Sequence, residues 1–435
     1  MFGLEQILID ILTLVFTREE INGFLRNPRH TAVILGALIA LSGALLGTFL
    51  LLRGMALTSD AISHTVLLGI VVAFIFMTAV SDRAPDMSSP LLIVGAASAG
   101  VLTVVLTELI YRSGLVKQDA ALGLAFPFLF AIAIILISRH VDNAHIDVDA
   151  VLVGEIGVAW ANTNSHCIEN CESVTITPDH PAAQITRQCI NCRELGISPR
   201  DDGAIFRETC ANCGTYSPAR AFRAGLTDAE PVLVFWPKAI TVMLVLSALT
   251  VGFVLALYKE LKLSTFDPAL AWALGFRPGA LHYALMVLVS LVAVGAFDAV
   301  GSILVIAFFI IPPATAYLLT DRLSRLLIIG PLIGAASAYT GYDLARGRFL
   351  GVEVGDVLTA LNNAFGLSLP ERWNSSISAS MVLMMFTFFV MTWVLSPRYG
   401  LIATLLRRFD ERRRFHDQVL LGHIDNHSGT PEEAE

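Results

Sequence analysis

Charge is scarce in this chain. Only 15% of its 435 residues are Asp, Glu, Lys or Arg, against about 25% in an average soluble protein. With 55% hydrophobic residues, that shortage excludes an ordinary soluble enzyme and a disordered chain. A basic excess is missing as well: 29 Lys and Arg stand against 37 Asp and Glu, a net charge of -8. No nucleic-acid partner is therefore expected. No Gly-rich loop leading into Lys-Ser/Thr occurs, so the chain itself has nothing to cradle ATP phosphates and is not read as an enzyme. Cysteine is absent from almost the whole sequence. All six lie between Cys167 and Cys213.

What is present is apolar, and it comes in long runs. A helix needs roughly 20 apolar residues to cross about 30 Å of hydrocarbon. Runs that meet or approach this occur at 31–52, 60–80, 90–110, 120–137, 232–256, 281–297, 302–319, 326–345 and 378–395. The sequence thus predicts an all-α polytopic membrane protein, a bundle of about eight to nine transmembrane helices. The weakest point is 281–319, where Gly295, Gly301, Pro312 and Pro313 are candidate helix breakers. The stretch from Leu8 to Phe16 is short and carries Asp10. It lacks a basic leader and a small-residue cleavage site, so it reads as an interfacial helix and not as a signal peptide.

Basic residues orient the chain. The tail holds Arg398, Arg407, Arg408, Arg412, Arg413 and Arg414 and is expected in the cytoplasm. Counting back through nine spans puts 53–59, 111–119, 257–280 and 320–325 on the same side. The N-terminus and 138–231 then lie outside. The domain organisation read from the sequence is 1–156, first membrane part; 157–230, cysteine-rich module; 231–400, second membrane part; and 401–435, a basic then acidic tail.

Ionisable residues inside a span are costly and point to function. Asp60 and His64 are four apart and share one helix face. Carboxylate plus imidazole suits Zn(II), Mn(II) or Fe(II); a helix cap at Asp60 and a packing hydrogen bond at His64 would equally place them there. Asp298, between Gly295 and Gly301, has a pore or packing role. In the polar stretch 259–276, Thr265 or Asp267 can cap a short helix with Pro268 in its first turn and Gly275 as its stop. Leu270, Trp272 and Leu274 would be free to meet a soluble partner.

The stretch Leu50-Leu-Leu-Arg-Gly-Met-Ala-Leu-Thr-Ser-Asp-Ala-Ile-Ser-His64 resembles the signature of the metal ABC transporter permeases, importers of zinc, manganese or iron(II). So do Lys117-Gln-Asp-Ala-Ala-Leu-Gly123, Asp147-Val-Asp-Ala-Val-Leu-Val-Gly-Glu155, the 259–276 loop, Ala296-Phe-Asp-Ala-Val-Gly-Ser302 and Pro312-Pro-Ala-Thr-Ala-Tyr317, in that order. The resemblance covers about 30–160 and 232–400. It implies a permease subunit in a bacterial cytoplasmic (inner) membrane, working as a homodimer or paired with a related permease. A cytoplasmic ABC ATPase dimer would supply ATP hydrolysis. An external metal-binding lipoprotein or periplasmic solute-binding protein would supply the cargo, Zn2+, Mn2+ or Fe2+. On the same resemblance, Asp60 and His64 handle the metal, and Ser264, Thr265, Asp267, Pro268, Leu270, Trp272, Leu274 and Gly275 form the segment that meets the ATPase. Two other readings stand beside it: a secondary metal/proton transporter, and a membrane-embedded metal sensor.

The resemblance does not explain 157–230. There Cys189-x2-Cys192 and Cys210-x2-Cys213 are separated by 17 residues, a spacing that suits a tetrahedral zinc site with four thiolates. His166, Cys167 and Cys171 form a second partial site or a disulfide. An external location favours disulfides throughout, and a redox or iron centre is a third option. If Zn2+ binds, it acts structurally or as a sensor near the external mouth.

Overall fold

The structure, a computed structural model, describes residues 2–55, 57–80, 90–140, 156–161, 163–167, 233–349, 352–365, 375–396 and 400–404, together with short strands between 175 and 216 and scattered residues of the tail up to 421. Nine of the described helices are long and apolar enough to cross a membrane. They are α3 (Pro28–Leu52), α4 (Thr58–Val80), α5 (Pro90–Arg112), α6 (Gln118–His140), α7 (Lys238–Ala256), α10 (Pro278–Val300), α11 (Ser302–Leu319), α12 (Leu323–Ala345) and α14 (Ile377–Leu395). Each falls on one of the nine apolar runs; the fifth, expected over 232–256, starts only at Lys238, because Leu233–Pro237 form a strand. The breaker-rich stretch is two helices, split at Gly301, whose φ of 76° few other residues tolerate. Pro312 and Pro313 do not break α11. Both are buried, and neighbouring helices cover the backbone they leave unpaired.

Contacts at the helix ends show how the spans alternate. At one end, which we call outer, Arg29 of α3 pairs with Asp343 of α12 at 2.9 Å. The Ser375 N–H before α14 donates to Ala345 O. At the opposite, inner end, Arg53 after α3 donates to Ser264 and Thr265, and Ser396 after α14 donates to Leu318 O of α11. Helix α3 is the central post. Its mid-section is buried on all sides against α7, α11 and α12, which explains a sequence with no polar face at all. Gly47 makes this possible: a Cβ there would overlap the backbone carbonyl of Phe309.

The N-terminal stretch forms α1 (Phe2–Thr13), and a second helix, α2 (Arg18–Arg26), follows it. Thr17 and Glu20 make a reciprocal capping box that starts α2. One side of α1 is embedded, with Ile9 and Glu5 buried. Glu5 Oε1 accepts from Thr241 Oγ1 at 2.9 Å, and that hydroxyl accepts from Trp236 Nε1 at 2.7 Å. This chain ties α1 to α7.

The membrane bundle is all-α, as expected. After a 3-10 helix, Ile156–Ala161, come seven short strands: β1 (Thr163–Cys167), β2 (Thr175–Ile176), β3 (Ala183–Arg187), β4 (Leu195–Pro199), β5 (Arg207–Glu208), β6 (Thr215–Tyr216) and β7 (Leu233–Pro237). β1 pairs antiparallel with β7 over five residues, Thr163 opposite Pro237 and Cys167 opposite Leu233. The pair closes a stem on the bundle's outer end. β6 adds to β1, and β2–β3–β4–β5 form a separate antiparallel sheet. The 3-10 helix belongs to the bundle: Ile156 is fully buried and its N–H donates to Ser378 Oγ of α14 at 3.2 Å. A β-hairpin, β8 (Arg348–Phe349) with β9 (Val352–Glu353), and helix α13 (Val354–Phe365) fill part of the loop before α14.

Candidate functional site

The chain leaves α3 through Arg53 and turns at Gly54, with φ 71°. It then enters α4, whose first turns carry Asp60 and His64. The two face each other, His64 Nε2 to Asp60 Oδ1 at 3.4 Å, both side chains about one-third exposed. The imidazole lies among rings of α6: Phe126 is stacked at 6.0 Å between centroids and Phe130 meets it edge-on at 6.0 Å. An oxygen and a nitrogen donor one turn apart, backed by apolar rings, can give two ligands to a first-row divalent cation. Among the described residues, no group of three or more His, Cys, Asp or Glu forms that could hold a metal ion.

The backbone of Asp298 stands apart from this pair along α10. On α10 the level of the pair is marked by Ser290, which shares the space at Gly100 with Ile62 of α4. Asp298 lies eight residues further toward the outer end, about 12 Å by helical rise. Its side chain lies outside the described residues.

The 259–276 segment folds as two short helices at the inner end, α8 (Tyr258–Phe266) and α9 (Pro268–Ala273). Asp267 is the cap, its side chain accepting from Leu270 N at 2.9 Å, with Pro268 in the first turn. Gly275, at φ 87°, ends the helix. Ala271 points inward and is buried, while Leu270, Leu274 and Trp272, which is 75% exposed, face out. Thr265 does not cap, and neither Thr265 nor Ser264 joins this outward face. Thr265 Oγ1 accepts from Arg53 Nε at 3.1 Å and Ser264 Oγ accepts from Arg53 Nη2 at 3.0 Å. The helical turn of α8 aims these hydroxyls at the bundle, where Ser264 and Leu261 are buried. Burial lowers the Arg53 guanidinium below its ordinary pKa, yet arginine stays charged. Sequence reading gave Arg53 only a topological role. Its partners lie more than 200 residues away, beyond the reach of any local signal.

Of the cysteine module, Cys171, Cys189, Cys192, Cys210 and Cys213 lie outside the described residues. Cys167 ends β1, opposite Leu233, and His166 lies opposite Val234. The strands bearing on the rest have a clear register: Thr175 opposite Thr186, Arg187 opposite Leu195, and Leu195 opposite Glu208.

Comparison with known proteins gives a consistent picture. The family model described as the ABC 3 transport family matches residues 28–174 and 232–348; 175–231 fall outside both stretches. The manganese transport system membrane protein MntD of Bacillus subtilis is 33% identical over 379 residues, 87% of this chain and 95% of that protein. The zinc transport system membrane protein TroD of Treponema pallidum is 32% identical over 374 residues, 86% of this chain and 76% of that protein. Among solved structures, PsaBC from Streptococcus pneumoniae in complex with Fab shares the fold, with a TM-score of 0.51 and 22% identity, covering 90% of this chain and 96% of that one. With nine membrane-length helices in order and most of its sequence matched, this chain is a multi-pass membrane protein that belongs to the ABC 3 transport family.

Proposed function

We propose that this chain is the membrane permease subunit of an ATP-binding cassette importer for divalent transition metal ions, manganese, zinc or iron(II), in a bacterial inner membrane. The observation that carries the reading is the pairing, within one family-matched bundle, of a carboxylate–imidazole face on α4 with an outward apolar knob, α9, at the inner end. The names of the relatives, manganese and zinc transport proteins, support the cargo class. A permease of this kind binds the cation between states open to either side. Asp60 supplies charge and a hard oxygen ligand, and His64 a nitrogen held by Phe126 and Phe130. Leu270, Trp272 and Leu274 fit an apolar pocket on a separate ATPase dimer, which hydrolyses the ATP. A solute-binding protein delivers metal at the outer end, and a second permease, identical or related, completes the assembly.

The test is uptake by proteoliposomes holding the chain, its co-expressed ATPase and internal ATP. Manganese or zinc entry that needs both ATP and the ATPase is expected. Entry by the chain alone, driven by a proton gradient, would instead mark a secondary transporter.

The module outside the matched stretches, about 175–231, supports a zinc reading. The β2–β5 register sets Thr175, Arg187, Leu195 and Glu208 at one end of a sheet. In sequence, Cys171 shortly precedes the first of these, Cys189 and Cys192 follow the second, and Cys210 and Cys213 follow the last. That ordering suits Cys189, Cys192, Cys210 and Cys213 as four thiolate ligands to one Zn2+, which would hold a small polar module lacking a large core.

A further inference from the structure

We propose that Arg53 is the pin that links the ATPase-facing helix to the metal-bearing turn of α4. The inference rests on the reading of α9 as the segment that receives force from an ATPase, and it adds the route by which that force reaches the cation.

The route runs through groups that move together. Asp267 caps α9 on the last turn of α8, since its own N–H donates to Leu263 O and its carboxylate accepts from Leu270 N. Phe276 N–H returns to Ala271 O. Helices α8 and α9 are thus one rigid elbow with Leu261 and Ala271 as its buried anchors. The elbow holds Arg53 by two different donors of one guanidinium, Nε to Thr265 and Nη2 to Ser264. A planar fork held at two points has its orientation fixed, which one lysine ammonium cannot reproduce.

On the other side, Arg53 is the residue at which α3 stops; its N–H still bonds Phe49 O. The next residue is Gly54 in the left-handed region, and the Met55 N–H turns back to Leu50 O at 2.8 Å. The Thr58 N–H in turn bonds Met55 O at 3.1 Å, and Thr58 opens α4, with Asp60 in its first turn. A shift of the elbow therefore pulls on a short, tightly bonded turn that ends at Asp60. Helix α3 cannot follow, because its mid-section is buried against three other helices. The displacement goes into the turn and α4.

A guanidinium that served only to mark the cytoplasmic side would need no fixed partners. Paired hydroxyls on an elbow that is itself presented to solvent point instead to transmission.

The experiment uses the full chain with its co-expressed ATPase in proteoliposomes, and reads manganese(II) or zinc(II) moved per ATP hydrolysed. R53A is expected to lower that ratio roughly tenfold, within the 5–150-fold range of ordinary coupling between sites. S264V/T265V should lower it by the same factor, and the triple variant no further, because all three changes break one link. R53K, which keeps charge and bulk, should recover only part of the loss and guards against a folding defect in R53A. A ratio unchanged in R53A, R53K and S264V/T265V, or losses that add in the triple variant, would overturn the pin. Wild-type complexes that move neither metal on ATP would overturn the permease reading itself, and the pin with it.

Discussion

Arg29 and Asp343, 314 residues apart, form a 2.9 Å ion pair in which the guanidinium also lies 4.9 Å from the centre of the Tyr339 ring. The first residues of α3 and the last of α12 are thereby fixed at one end of the bundle. Arg53 and Ser264 lock the other end. With both ends marked, the nine spans have a definite alternation, and the β1–β7 stem stands on the side of Arg29.

That alternation predicts where the cysteines are. In sequence all six lie at the end of β1 or beyond it, so they are expected on the side of the β1–β7 stem, opposite the arginine-rich tail. In spheroplasts treated with reductant and chelator, a membrane-impermeant maleimide should label the native chain. A Leu401→Cys variant with the six native cysteines changed to serine should label only after permeabilisation. The reverse pattern would turn the molecule over.

Close packing at α3 predicts a sharp contrast between two glycines. Gly47→Ala drives a methyl into the Phe309 backbone, which cannot rotate away as a side chain does. A loss of at least about 2 kcal/mol is expected, within the range for overpacked cores. Gly252, on the open side of α7, meets nothing within 4 Å. Gly252→Ala should be neutral or stabilising by up to about 1 kcal/mol. Thermal unfolding in detergent separates the two; equal effects would mean that α3 and α11 do not touch as described.

The apolar knob is expected to matter for assembly more than for folding. Trp272→Ala should abolish co-purification of the ATPase while leaving the melting temperature of the permease within a degree or two, since the ring is largely exposed. Asp267→Ala, which removes the cap on α9, should weaken the association less, in line with the ~1 kcal/mol of an N-cap. Retained association in Trp272→Ala would move the docking surface elsewhere.

For the cysteine module, one zinc per chain is expected by metal analysis of protein purified without added metal. Cys189→Ser or Cys210→Ser should each abolish it. Three disulfides per chain and no zinc would decide for the oxidised alternative. If the module senses or receives cargo, joining β1 to β7 by a short turn in place of residues 168–232 should alter uptake, with the stem kept to hold the fold.

Much of this was legible in the sequence because lipid leaves few options. A run of about 20 apolar residues has to be a helix, and Asp267, Pro268 and Gly275 spell out a start and a stop for α9 that the structure follows. Gly301 was one of four candidate breakers. The structure uses it alone, because Pro312 and Pro313 sit where other helices shield their unpaired backbone. What the sequence hid was long-range. Nothing near Glu5 announces that an N-terminal carboxylate will be buried against Thr241 and Trp236. Nothing near Thr265 says that its hydroxyl will serve Arg53 and not the next helix. The Asp60–His64 pair was visible from its spacing, but the aromatic wall from α6 was not, since Phe126 and Phe130 look like any lipid-facing residues until the helices are packed.

The most direct test of the account is ATP-driven metal uptake by the reconstituted complex with Asp60→Ala and His64→Ala, each compared with wild type at equal amounts of assembled ATPase. Loss of a ligand to a transported cation should cut uptake by at least about tenfold in each variant, the effect of 1.4 kcal/mol or more at the site. Uptake at the wild-type rate in both would contradict a metal path along this face of α4.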